Sequence, residues 1–240
     1  EARFGPVVGA TAARTVRSML DRGLNCPPTS SAGRWFDAAA AALGLHWRQQ
    51  HEAQAAMALE AAATGWLQAH GLTPDDAAAL AFGPGAEPSA PPTPDLRPLL
   101  ADLLAIGAAD PDAARGAASP EDPRVGEGAW RFHLGLAQAL VGAVQAAAPV
   151  APTGRAPAMP PARPPVLLGG GCFHNRLLTT LVEAGLAAAG VEARRPGAAG
   201  CGDAGLALGQ AWVAAERLAA ATMAGADPRA TEPQEMSPCA

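Results

Sequence analysis

Lysine and tyrosine are both missing from this 240-residue chain. The lack of lysine excludes a Walker-type phosphate lysine and a Schiff-base lysine within these residues. Aromatics make up only 4% of a sequence that is 49% hydrophobic, so the core has to be assembled from small aliphatic contacts. Alanine dominates, and its high helix propensity favours helix. Positive charge is scarce too. The net charge is −5 with no basic cluster, which argues against nucleic acid as a partner. The cysteines, Cys26, Cys172, Cys201 and Cys239, form no C-x-x-C pair, so a cysteine-only zinc ribbon is unsupported. Scattered thiols fit a reducing cytoplasm better than a disulfide framework. No apolar run approaches the roughly 20 residues of a membrane span. The first residues, EARFGPVVG, lack both a signal-peptide pattern and a Met, and read as the middle of a domain. A cytoplasmic location follows as the expectation.

What is present divides into three stretches. Helices are predicted over residues 6–22, 33–43 and 52–70, with Phe36, Ala39, Ala40 and Leu43 sharing one face of the second and Ala56, Leu59, Ala63 and Leu67 one face of the third. Gly23, Gly44 and Gly71 close them, with Pro74 reinforcing the last stop. Residues 84–98 are Pro-rich and read as loop, a short helix follows near 96–106, and 109–128 is again polar and rich in Pro and Gly. A helix is predicted over 128–147, carrying Phe132, Leu136, Leu140 and Val144. Residues 148–165 form a Pro/Ala connector, read as an exposed excursion.

The final third changes character. Val166–Leu168 reads as a strand running into GGGCFHN (169–175), with a helix over 176–189 behind it. A second strand, Val191–Arg194, leads into the Gly-rich stretch 198–205 and a helix over about 204–220. This strand–helix–strand–helix order predicts adjacent parallel strands, within an α/β fold that is otherwise helix-rich. Residues 1–225 read as one domain and 226–240 as a disordered tail.

Both Gly-rich turns follow a strand and open a helix, which is where ligands bind in open α/β sheets. Glycine lets backbone amides approach an anion, and the helix N-terminus adds partial positive charge. Asn175 either caps its helix or bonds a nucleotide. Asp203 either caps its helix, ligates a metal or orders a water. Neither turn is decisive alone, because tight turns use the same residues.

The text of several segments then points to a family. VLLGGGCFHNRLL (166–178) and GDAGLALGQAWVA (202–214) resemble the C-terminal segments L-S-G-G-V-F-x-N-R-L-L and N-D-G-G-L-x-L-G-Q-A of the hydrogenase-maturation carbamoyltransferase family HypF. TSSAGRWFDAAAAALGL (29–45), HEAQAAMALE (51–60) and FHLGLAQAL (132–140) resemble further HypF segments in the same order. The resemblance implies a Kae/TsaD-like domain of the actin-like, sugar-kinase-like (ASKHA) superfamily, of which this chain is most of the second lobe. It implies that Asp37, Gly170, Gly171 and Asn175 contact the nucleotide, and that Asp203 is one ligand of a zinc or iron ion whose other ligands lie outside the chain. It also implies a reaction: carbamoyl phosphate and ATP yield a carbamoyl-adenylate, and the carbamoyl group passes to the C-terminal cysteine of the acceptor protein HypE.

The residues also admit plainer roles. Asp37 suits a surface pair with Arg34, and His133 suits packing on its helix. Cys172 and Cys201 lack a neighbouring cation that would activate a thiol. No general base stands out. Departures from the family text are Ala53 for a Gly, Gly202 for an Asn, Ala204 for a Gly and His174 for a Gln. A tRNA threonylcarbamoyl transferase-like enzyme and a non-catalytic fragment are the alternatives.

Overall fold

The computed structural model describes residues 4–83, 95–109, 118–147, 164–197 and 200–223. The predicted connector over 148–165 and the tail over 226–240 fall almost wholly outside them.

Two helices, α1 (Gly5–Val8) and α2 (Ala10–Arg22), replace the single helix predicted over 6–22. Gly9, at φ 95°, separates them. Helix α3 (Ala32–Leu43) buries Phe36, Ala39, Ala40 and Leu43, and α4 (Gln54–Ala69) buries Leu59, Ala63 and Leu67. Gly44 ends α3 in the left-handed conformation, donating its N–H back to Ala40 and Ala41.

Helix α5 (Pro74–Phe82) is a correction to the sequence reading, which took Pro74 as a stop. Pro74 is instead the first residue of a helix, a position where its missing N–H costs nothing. The Thr73 hydroxyl accepts from the Asp76 N–H, and the Asp76 carboxylate accepts from the Thr73 N–H at 3.0 Å. The Thr73 hydroxyl, donating to Asp76 Oδ2 at 2.6 Å, and then the Thr73 N–H hold the Asp76 carboxyl below its ordinary range. Helix α6 (Arg97–Ala108) falls where a short helix near 96–106 was expected. The misreading recurs once, at α7 (Pro123–Ala147), which starts five residues before the predicted Gly128.

Helix α7 is the centre of the packing. α3, α4, α6 and α8 (Arg176–Ala188) all pack against it, while α5 packs on α8. Small residues let these helices approach. A Cβ on Gly126 would sit 2.8 Å from Trp66 Cβ, and one on Gly128 would sit 2.7 Å from Leu43 Cδ2. Phe132 of α7 meets Phe36 of α3 edge to face, centroids 5.0 Å apart.

Strands β1 (Val166–Leu167) and β2 (Ala193–Arg194) pair in parallel, Val166 opposite Ala193, with α8 between them in sequence. Both are shorter than predicted. A 3-10 turn, Gly171–His174, separates β1 from α8, and another, Asp203–Gly205, opens α9 (Leu206–Met223). Neither α2 nor α9 contributes a buried residue. Val16 and Leu20 on α2, and Leu206, Leu208 and Trp212 on α9, are exposed. No helix among the described residues is long and apolar enough to cross a membrane.

Candidate functional site

A cleft of about 1020 Å³ opens where α3, α4 and the turn ahead of α8 converge, and Asp37, Glu60, Gly171, Cys172 and Asn175 are on its wall. The fold thus brings residues more than 130 positions apart in sequence to one cavity.

Asp37 projects from α3. Its Oδ1 accepts from Gln49 Nε2 at 2.8 Å. Its Oδ2 lies 2.8 Å from Arg34 Nη2, close enough for an ion pair. That contact is not aligned as a hydrogen bond, however, and Oδ2 is buried with no hydrogen-bond partner. Distance and alignment therefore disagree here. The alignment is the better guide to whether Oδ2 retains acceptor capacity, because hydrogen bonds weaken steeply off axis. The Asp37 charge reaches Cys172: burial first, and Asp37 second, push that thiol above its ordinary range. Cys172 is therefore a protonated, unreactive thiol at neutral pH.

Asn175 is the N-cap of α8, its Oδ1 accepting from the Leu178 N–H at 2.8 Å. Its Nδ2 lies 2.9 Å from Nε2 of His133, a fully buried residue of α7. His133 Nδ1 lies 2.7 Å from the Ala129 carbonyl, which needs a donor. The proton is thus assigned to Nδ1, leaving Nε2 to accept from Asn175. Burial pushes the His133 pKa down to about 4, so the ring is neutral.

The first turn of α8 is filled from elsewhere as well. Glu60 Oε1, on α4, accepts from the N–H groups of Arg176 at 2.7 Å and Leu177 at 3.3 Å. No role for Glu60 was expected from the sequence. Nothing in helical periodicity announces a contact across 116 positions. Its one cue is that it is the sole charged residue of α4.

The second Gly-rich turn packs against the first: the Gly170 N–H donates to the Cys201 carbonyl at 2.6 Å. Gly170 and Asp203 line a neighbouring groove of about 1220 Å³ beside Trp212 of α9. The predicted nucleotide set is therefore divided, with Asp37, Gly171 and Asn175 in the cleft and Gly170 with Asp203 in the groove. Asp203 is exposed and makes no side-chain cap. Among the described residues, no group of three or more His, Cys, Asp or Glu side chains is placed to hold a metal ion. A transition metal takes about three or four protein ligands, so the described residues alone do not fit one.

Residues 3–210 match the family model described as carbamoyltransferase, Kae1-like domain, second subdomain. The chain belongs to the HypF carbamoyltransferase family. It is 48% identical over 240 residues to the carbamoyltransferase HypF homolog of Cupriavidus necator, covering 99% of this chain and 52% of that protein. Against the carbamoyltransferase HypF2 of the same organism it is 36% identical, over 90% of this chain and 25% of the relative. Against the carbamoyltransferase HypF of Rhodobacter capsulatus it is 37% identical, over 84% and 22%. The chain thus spans about half the length of the first HypF relative and about a quarter of the others. No solved structure matches it.

Within the HypF frame one departure gains a structural meaning. Ala53, where the family text has Gly, is one of two non-glycine residues with positive φ among those described, at 58°. It lies on the cleft wall as the N-cap of α4.

Proposed function

We propose that this chain supplies one wall of a nucleotide site in a carbamoyl transfer reaction. The ligand is the carbamoyl-adenylate formed from ATP and carbamoyl phosphate, and the acceptor is the C-terminal cysteine of a HypE-like protein in the cytoplasm. The observation that carries this reading is the joining of Asp37, Gly171 and Asn175 in one cleft.

The chemistry of the wall suits such a ligand. Buried Asp37 Oδ2 has acceptor capacity left for a hydroxyl donor of a nucleoside. Gly171, on the cleft wall, presents backbone to a phosphate without Cβ obstruction, since nothing lies within 4 Å of the point a Cβ would occupy. Asn175 is committed through one N–H and one lone pair, which leaves its second N–H for the ligand. These groups bind and orient. None is placed as a general base.

In this scheme the opposing wall, completing an ASKHA-type two-lobed cleft, comes from residues outside those described. Asp203 donates one carboxylate to a zinc or iron ion whose other ligands lie on that wall. Two measurements on the full-length protein test the reading. Asp37→Asn should weaken calorimetric binding of AMP by about tenfold, the effect of losing one charge-assisted hydrogen bond. Unchanged affinity rejects the assignment. Asp203→Ala should lower the bound metal seen by elemental analysis, and an unaltered metal content removes Asp203 from that role.

A further inference from the structure

We propose that Glu60 sets how much phosphate the cleft accepts, selecting a single esterified phosphate over a polyphosphate chain. The inference rests on the nucleotide reading above and adds a specificity-determining residue to it.

A helix N-terminus with free amides is a ready seat for phosphate. On α8 that seat is taken. The N–H groups of Arg176 and Leu177 donate to Glu60 Oε1, that of Leu178 donates to Asn175 Oδ1, and that of Thr179 enters the helical ladder at the Asn175 carbonyl. A carboxylate from α4 thus occupies the place of a ligand anion. It does so at the wall of the same cleft, which Asp37 and Glu52 also line. Among the described residues Arg34 is the only arginine on that wall, and it already sits against Asp37. Three carboxylates against one guanidinium leave this side of the cleft negative.

The consequence is a limit on the ligand's own charge. In this account a single phosphate rests beside the glycine turn and need not reach the amides of α8. A second and third phosphate extending toward α8 meet the Glu60 charge and find its amides engaged. The favoured class is a nucleoside monophosphate or an acyl ester of one. A triphosphate is disfavoured. Glu60 does no chemistry in this account; it discriminates by charge and by holding the amides.

The test is calorimetric titration of the full-length protein with AMP and with ATP, in a chelator so that no divalent ion masks the phosphates. Wild type should bind AMP more tightly than ATP. Glu60→Gln keeps an acceptor for the two amides and removes the charge. It should raise ATP affinity by about tenfold while changing AMP affinity less than about twofold. Equal changes for both nucleotides, or a wild-type preference for ATP, overturn the proposal. A second measurement needs no variant. Added salt screens like-charge repulsion, so the wild-type ratio of ATP to AMP affinity should rise between about 0.05 and about 0.5 M salt. A ratio that stays flat or falls counts against Glu60. Absence of binding by either nucleotide overturns the underlying nucleotide reading and this inference with it, whereas binding with an unaltered ratio overturns this inference alone.

Discussion

Asn175 Nδ2 donates to His133 Nε2 across 2.9 Å, in the middle of a chain of hydrogen bonds that ties α7 to α8. The chain runs from the Ala129 carbonyl through the neutral imidazole and the Asn175 amide to the Leu178 N–H. Each link fixes the next. A proton on Nε2 would set donor against donor. Rotating the Asn175 amide to accommodate it would break the helix cap. A residue that lines the cleft is therefore held in one orientation by a ring that never reaches it.

That coupling has a pH signature. The His133 pKa in the folded chain is about 4, below the ordinary 6.5. Between those values the unfolded chain binds a proton that the folded chain refuses. The contribution is complete above pH 6.5 and is lost as pH falls toward 4. At about 1.4 kcal/mol per pH unit, the interval is on the order of 3 kcal/mol. Urea midpoints measured at several pH values across this window should decline in wild type, and His133→Gln should flatten that part of the decline. An equal decline in both proteins would mean that other groups cause it.

Ala53 should tolerate glycine unusually well. At φ 58° its Cβ is strained by roughly 1 kcal/mol, a penalty that glycine does not carry. Glycine's greater freedom in the unfolded chain offsets part of the gain. Ala53→Gly should leave the thermal midpoint unchanged or raise it by a few degrees. A clear fall would show that the Ala53 methyl makes a needed contact.

Two helical glycines should respond to alanine in opposite directions. A Cβ on Gly185 of α8 would lie 2.7 Å from Val141 Cγ2 and 2.9 Å from Phe82 Cε1. Gly185→Ala should cost about 1–3 kcal/mol through overpacking. Gly65 of α4 has nothing within 4 Å of the same point. Gly65→Ala should stabilise by up to about 1 kcal/mol through helix propensity. Denaturant unfolding of both variants checks the pair, and a shared sign would contradict the packing.

Local signals explain how much of this was legible in the sequence. The faces carrying Phe36, Leu43, Leu59 and Leu67 follow from 3.6-residue periodicity, because burial is what creates that pattern. The left-handed stops at Gly23, Gly44 and Gly71 follow from conformations that side chains resist. Proline misled, since Pro74 and Pro123 begin helices as readily as a proline ends one. The Thr73–Asp76 spacing carried the missing signal, with Asp standing where a capping box usually has Glu. Glu60 on α8 and Asn175 on His133 were beyond local reading, because they join elements that meet only through the packing of α7. Asp37 was placed by family text alone; its periodicity says only that it lies beside Arg34.

Helix α9 has one further consequence. Trp212 is 67% exposed, while the other tryptophans, at positions 35, 47, 66 and 130, are half-buried. Its indole is thus the one whose emission in this state reports bulk water. Any surface that comes to rest on α9 will register as a blue shift and as protection from a soluble quencher, giving the chain an intrinsic optical gauge of contact on that helix.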